Sequence, residues 1–132
     1  MERIKKKILV IDDDERHLIA TKELLGDEGY EVIIHHNAFG STNVIRELQP
    51  DLVLLDVNMP ALSGDRLSSL LLSNEKTKDI PIVFYSSNDE DSLREAVVKH
   101  GVSGYISKGN IFELKEKVAY YLSPQSNKSP HV

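Results

Sequence analysis

Two short runs of purely apolar residues end in carboxylates. Ile8-Leu9-Val10-Ile11 leads into Asp12-Asp13, and Leu52-Val53-Leu54-Leu55 leads into Asp56. A run of this length with no polar alternation is the pattern of a strand buried on both faces of a parallel sheet. Carboxylates directly after two such strands fall at the carboxyl edge of that sheet, where open α/β folds build their ligand sites. Three carboxylates sharing one crevice repel one another unless a cation neutralises them. Donors that are all oxygen favour a hard ion, Mg²⁺ above all.

The rest of the chain fits that frame. Strand-like segments are expected over 8–11, 31–35, 51–55, 80–85 and 103–106, with helices over 15–28, 41–48, 64–73, 89–99 and 111–122. Regular alternation of strand and helix implies parallel strands joined by right-handed crossovers. In the last helix, Ile111, Leu114, Val118, Tyr121 and Leu122 make one apolar face at three-and-four spacing. Asn110 with Glu113, and Ser87 with Glu90, offer capping boxes. Gly26, Gly29 and Gly101 are expected to punctuate helix ends.

At 132 residues the chain reads as one domain over 1–122, large enough to bury roughly two-thirds of its unfolded surface. The aperiodic segment 123–132 is expected to be a mobile tail or the start of a linker. The absence of cysteine excludes disulfide frameworks, zinc-thiolate sites and thiol catalysis. A net charge of −5 argues against a nucleic-acid-binding surface. The apolar run after Lys5-Lys6-Lys7 is too short for an export signal, and no stretch approaches a membrane span, so a cytoplasmic location is expected.

Three more residues fall at the same sheet edge: Ser86 after the fourth strand, Lys108 past the fifth, and Asn58 two residues after Asp56. Phosphoryl transfer to a carboxylate requires this set. Asp56 is the nucleophile, Asp12 or Asp13 or both hold Mg²⁺, Lys108 adds a second cation, and Ser86 can donate a hydrogen bond to a phosphoryl oxygen. Taken singly, each has a plainer reading: a strand-end aspartate is usually a turn former or cap, and Asp12 to Asp14 suit a helix N-terminus. Ser86 suits a cap, Lys108 a solvated loop, and Tyr105 a half-buried strand position. Independent caps, however, have no reason to converge on one crevice. Asp14 is read as a cap, and the adjacent His35 and His36 as structural.

At these positions the chain resembles the receiver domain of bacterial two-component response regulators. The motifs are Ile-Leu-Val-Ile-Asp-Asp-Asp, Leu-Val-Leu-Leu-Asp-Val-Asn-Met-Pro with Gly64, Pro-Ile-Val-Phe-Tyr-Ser-Ser, and Gly-Tyr-Ile-Ser-Lys, in family order across about 6–122. The resemblance implies a flavodoxin-like, doubly wound sheet of order 2-1-3-4-5 with five helices. It assigns Asp56 as phosphoacceptor, Asp12 and Asp13 as the metal-binding pair, and the backbone carbonyl of Asn58 as a further Mg²⁺ ligand. Lys108 becomes the active-site lysine, with Ser86 and Tyr105 as switch residues.

The resemblance further implies a phosphoprotein rather than a conventional enzyme, although one that catalyses its own Mg²⁺-dependent phosphorylation and slow autodephosphorylation. A sensor histidine kinase or phosphotransfer protein is the expected donor. A downstream effector is expected on the face of the fourth helix, fifth strand and fifth helix. The oligomeric expectation is a monomer or a weak, phosphorylation-dependent dimer.

One departure stands out. The family lysine is usually followed by proline, commonly through a cis bond, whereas Gly109 follows Lys108 here. A trans bond with glycine in unusual backbone angles is therefore expected. Asn58 and Asn88 occupy positions that tune acyl-phosphate lifetime in the family. The main rival is a pseudo-receiver that binds partners without phosphorylation, but such domains typically lose the acidic pair or the acceptor. A haloacid-dehalogenase-type phosphatase would need Asp-x-Asp after its first strand. A flavin carrier would need hydroxyls or glycines in the first loop, which is acidic.

Overall fold

The computed structural model describes residues 5–36, 40–58, 69 and 71–123. Five strands form one parallel sheet: β1 (Lys7–Ile11), β2 (Glu31–His35), β3 (Leu52–Leu55), β4 (Ile82–Ser86) and β5 (Gly104–Ser107). Their order is β2-β1-β3-β4-β5, as expected. The described helices are α1 (Glu15–Asp27), α2 (Ser41–Leu48), α3 (Glu90–His100) and α4 (Ile111–Tyr121). The expected helix over 64–73 falls mostly outside the described residues, as do Met59, Pro60, Gly64 and the tail past Ser123. Of that helix, Ser69, Leu71 and Leu72 are described and are helical. No described helix is long and apolar enough to cross a membrane.

The apolar runs form strands because both faces of the sheet are covered. Leu9, Ile11, Val53, Leu55, Ile82, Phe84 and Tyr105 pack on one side with Ile45 of α2 and with Leu93 and Val97 of α3. Ile8, Val10, Leu52, Leu54, Val83, Tyr85 and Ile106 pack on the other with Leu18 and Leu25 of α1 and with Leu114, Val118 and Tyr121 of α4. Successive side chains on a strand point to opposite faces, so one uninterrupted apolar run feeds two cores.

Two strand ends extend past their expected limits. Ser86 is the last residue of β4 rather than the residue after it, and it pairs in register with Ser107 of β5. The helix starts are also specific. Asp14 caps α1 by accepting from the amides of Arg16 and His17, the role expected of it. At α3 the cap is Asp89, not Ser87: its carboxylate takes both the amide of Ser92 (2.9 Å) and its hydroxyl (3.1 Å). Asn110 caps α4 through the amide of Glu113. The box does not close on itself, because the Glu113 carboxylate accepts from the amide of Ser107, tying the end of β5 to the start of α4. Gly29 and Gly101 take positive φ beyond their helices, whereas Gly26 lies inside α1.

The topology places a site. β1 and β3 are neighbours, with Ile11 opposite Leu55, while α1, which follows β1, packs into one core through Leu18 and Leu25 and Leu71, which follows β3, packs into the other. At such a switch point the connecting loops diverge and leave a crevice above the strand ends.

Candidate functional site

The residues just past Ile11 and Leu55 are drawn together by the ladder itself. The amide of Asp56 donates to the carbonyl of Ile11 at 3.0 Å, and the amide of Asp12 donates to the carbonyl of His35 at 3.2 Å. His35 thus meets the site through its backbone. Asp12 is 1% exposed and Asp56 is 6% exposed, so two carboxylates are buried where only one crevice can serve them. Asp13 is exposed, but its carboxylate, with those of Asp12 and Asp56, offers oxygens that all lie within 4.8 Å of one another.

Lys108 crosses this cluster from the loop after β5. Its Nζ stands 2.7 Å from Asp12 Oδ2 and 3.4 Å from Asp56 Oδ2. The other oxygens are held by the turns: Asp12 Oδ1 accepts the amide of Asp14, and Asp56 Oδ1 accepts the amide of Asn58, each at 3.0 Å. The amide of Lys108 donates to the carbonyl of Ser86, which fixes the height of the lysine above the sheet.

The electrostatics separate the two buried acids. Burial pushes the Asp12 carboxyl up, but the Lys108 hydrogen bond, the Asp14 amide and the Lys108 charge outweigh it, leaving Asp12 below the usual carboxylate range. Burial pushes Asp56 up as well. There the Asn58 amide and Lys108 lower it less than burial and the neighbouring Asp12 raise it, so Asp56 ends above that range. Burial lowers Lys108, yet its hydrogen bond to Asp12 and the charges of Asp56 and Asp12 leave it above an ordinary lysine. Oppositely perturbed neighbours of this kind mark sites with assigned roles. The donor set, three carboxylates with one exposed to solvent, fits a hard divalent cation.

Ser86 is fully buried. Its Oγ accepts from the amide of Asn88 and from the side-chain amide of Asn58, each at 3.2 Å. Asn58 and Asn88 also face each other, with Asn58 Nδ2 donating to Asn88 Oδ1 at 2.8 Å. Tyr105 lies apart from this cluster. It is 4% exposed in the core beneath α3, and its register partner is Phe84. Lys117 holds it from outside, with Nζ 4.2 Å from the ring centroid and 2.9 Å from the Tyr105 carbonyl.

The described peptide bonds include no cis bond, so Lys108–Gly109 is trans, and Gly109 takes φ +96°. A Cβ there would meet nothing within 4 Å, so the cost of a side chain is purely backbone. Gly109→Ala is expected to lose about 1–2 kcal/mol of stability in urea melts. An unchanged midpoint would mean that the loop relaxes freely.

Sequence reasoning gave no place to His17, yet its Nδ1 lies 3.4 Å from Asp12 Oδ2. Its ring meets that of Tyr85 at a tilt of 49°, with 5.1 Å between centroids. Burial and the Lys108 charge hold it below the usual imidazole value against the pull of Asp12, Asp14 and Asp56. Spacing could have found it. His17 is the third residue past the Asp14 cap, on the first turn of a helix that starts at the sheet edge.

The description "response regulator receiver domain" fits residues 8–119 of this sequence. The polar-differentiation response regulator DivK of Brucella anthropi is 29% identical over 107 residues, covering 78% of this chain and 84% of that protein. A CheY-like receiver domain protein from Methanospirillum hungatei superposes with a TM-score of 0.82 at 27% identity, covering 95% of this chain and 98% of the other. The receiver domain of the sensor histidine kinase PA1611 from Pseudomonas aeruginosa, solved with a magnesium ion in its active-site cleft, shares the fold. Its TM-score is 0.81 at 20% identity, over 90% and 98% of the two chains. The chain therefore belongs to the response regulator receiver domain family of two-component signalling.

Proposed function

We infer that Asp56 accepts a phosphoryl group from the phosphohistidine of a sensor histidine kinase or phosphotransfer protein, and that the modification changes partner binding. The observation carrying this reading is the Lys108 ammonium shared between Asp12 and Asp56 across the β1/β3 switch point. A bridging cation there favours the ionised form of a buried carboxylate, the form a nucleophile needs. The other residue roles follow from the same geometry. Asp12, Asp13, Asp56 and the Asn58 carbonyl would hold Mg²⁺, the ion bound in the cleft of the Pseudomonas receiver. When bound, that ion offsets negative charge on the phosphoryl oxygens.

In the transfer, a carboxylate oxygen of Asp56 attacks phosphorus while the P–N bond to the donor imidazole breaks, and the leaving nitrogen keeps the electron pair. Lys108 is within reach to swing from the carboxylates to a phosphoryl oxygen. Ser86 accepts its bonds from Asn58 and Asn88 on oxygen lone pairs, so its hydroxyl hydrogen is available for the phosphoryl group once the side chain moves toward it. Its departure would loosen the core above Phe84, and Tyr105 on the neighbouring strand would report this to α3, β5 and α4. Val98 on α3, with Ile111 and Phe112 on α4, are exposed apolar residues that suit an effector surface. The receiver is a signalling module, and catalysis is confined to its own phosphorylation and slow dephosphorylation.

Asp13 separates metal binding from folding. Asp13→Ala is expected to weaken Mg²⁺ binding at least tenfold and nearly abolish phosphorylation. Its metal-free melting temperature should be equal or higher, because one of three mutually repelling carboxylates is gone. Equal Mg²⁺ stabilisation of variant and parent in thermal melts would remove Asp13 from the metal set. The donor itself is tested by incubating a radiolabelled phosphohistidine domain with this chain and Mg²⁺. Label should move onto the chain. Label left on the histidine, with partner binding unaltered, would favour the phosphorylation-independent pseudo-receiver.

A further inference from the structure

We propose that Glu113, backed by Lys117, is a positioning residue for Lys108: the pair staples the open side of β5 and so holds the lysine over Asp12 and Asp56. The inference rests on the phosphoacceptor reading above. β5 is the last strand of the sheet, so no further strand pairs with its outer side. The amide of Lys108 points inward and donates to the carbonyl of Ser86 at 2.9 Å. Backbone alternation therefore turns the Ser107 amide outward, where it needs a partner of its own. The Glu113 carboxylate accepts it at 3.2 Å. The other Glu113 oxygen stands 3.1 Å from Lys117 Nζ, and that ammonium reaches 2.9 Å to the carbonyl of Tyr105. The contacts thus close along the strand from Tyr105 to Ser107, the residue before the lysine.

The other side of Lys108 offers no such hold. Gly109 follows at φ +96°, with nothing within 4 Å of where a Cβ would stand, and glycine has the freest backbone of any residue. The placement of the lysine is therefore set from the strand side. Glu113 is suited to set it because it is itself fixed: its amide donates to the Asn110 side chain at 3.0 Å, on the first turn of α4. The Glu113 and Lys117 side chains are only 20% and 19% exposed, so water competes less for their bonds than at a surface pair. The geometry at stake is narrow, since Lys108 Nζ must stay within 2.7 Å of Asp12 and 3.4 Å of Asp56.

The test uses the full chain with acetyl phosphate and saturating Mg²⁺. Glu113→Ala should slow phosphorylation about tenfold, within what a misplacement of ångström scale costs. Glu113→Gln keeps an oxygen for the Ser107 amide and should stay within about threefold of the parent. In a Lys108→Ala background, Glu113→Ala should add less than about twofold, because a residue that acts through the lysine then has nothing left to position. Hydrogen exchange of the Ser107 amide, followed by NMR on the metal-free chain, should be slow in the parent and in Glu113→Gln and about tenfold faster in Glu113→Ala. Should Lys108→Ala react too slowly to read, the contrast between the Ala and Gln variants decides. An unchanged rate in Glu113→Ala, or effects of the two Ala variants that simply multiply, would overturn the positioning role and leave the acceptor site standing. An unprotected Ser107 amide in the parent would overturn the staple itself. A parent chain that takes up no phosphoryl group would overturn the acceptor reading, and this inference with it.

Discussion

Lys108→Ala is expected to lower the metal-free stability of the domain by about 3–5 kcal/mol, the range for removing one partner of a buried ion pair. The lysine side chain is 15% exposed and meets an Asp12 side chain that is 1% exposed, with Asp56 on its other side. Without it, two buried carboxylates face each other with no counter-charge. The pH dependence follows from the pKa directions. Lys108 lies above its ordinary 10.5, so its contribution is fully present below that value and is lost as pH rises through the higher folded-state value. Asp12 lies below 3.8, so its contribution is present above 3.8 and is lost as pH falls through the folded-state value. The gap between parent and variant should therefore be widest across the neutral range and close at both extremes. Mg²⁺ should rescue the variant more than the parent, since the ion replaces the missing charge. Urea melts at neutral pH, with and without Mg²⁺, measure both effects. A loss below about 1 kcal/mol, insensitive to Mg²⁺, would mean the lysine is not the neutralising group.

Asp56→Asn should eliminate phosphorylation altogether while leaving the metal-free fold as stable as the parent or more so. The amide keeps an oxygen to accept from the amide of Asn58, so the turn after β3 is preserved. What disappears is a carboxylate whose ionised form the folded state disfavours through burial and the proximity of Asp12. A folded-state pKa raised above 3.8 means the penalty is full above that raised value and vanishes as pH falls below 3.8. The stability advantage of Asn should accordingly be visible at neutral pH and disappear in acid. Thermal melts across that range, paired with intact-mass measurement after a phosphodonor, give both readouts. Equal phosphorylation of the variant would place the acceptor elsewhere.

What could be read in the sequence was whatever follows from periodicity and sheet-edge logic. β1 and β3 were legible because strands buried on both faces leave no room for polar residues, and Asp12 and Asp56 follow from where those strands end, as Lys108 does from the end of β5. The exact ends of β4 and β5 were not legible, because Ser86 and Ser107 join the ladder through backbone pairing that their side chains do not announce. Ser87 and Asp89 both offered a plausible start for α3. Asp89 prevails because its carboxylate bonds Ser92 twice. The polar arrangement around the crevice was hidden for a different reason. The Asn58–Asn88 pairing and the approach of His17 to Asp12 depend on how a loop folds back and how α1 is rotated, and neither has a sequence period. Tyr105 was expected half-buried at most on its plain reading, and packing against Val97 and Leu93 makes it part of the core.

Peptide-level mass spectrometry decides whether Asp56 is the Mg²⁺-dependent phosphoacceptor. The chain is treated with acetyl phosphate with and without Mg²⁺, and the acyl phosphate is then trapped by borohydride reduction. One added phosphoryl group per chain is expected, only with Mg²⁺, and a reduced side chain at residue 56 alone. Incorporation that ignores Mg²⁺, or a trapped product at any other carboxylate, would contradict that assignment.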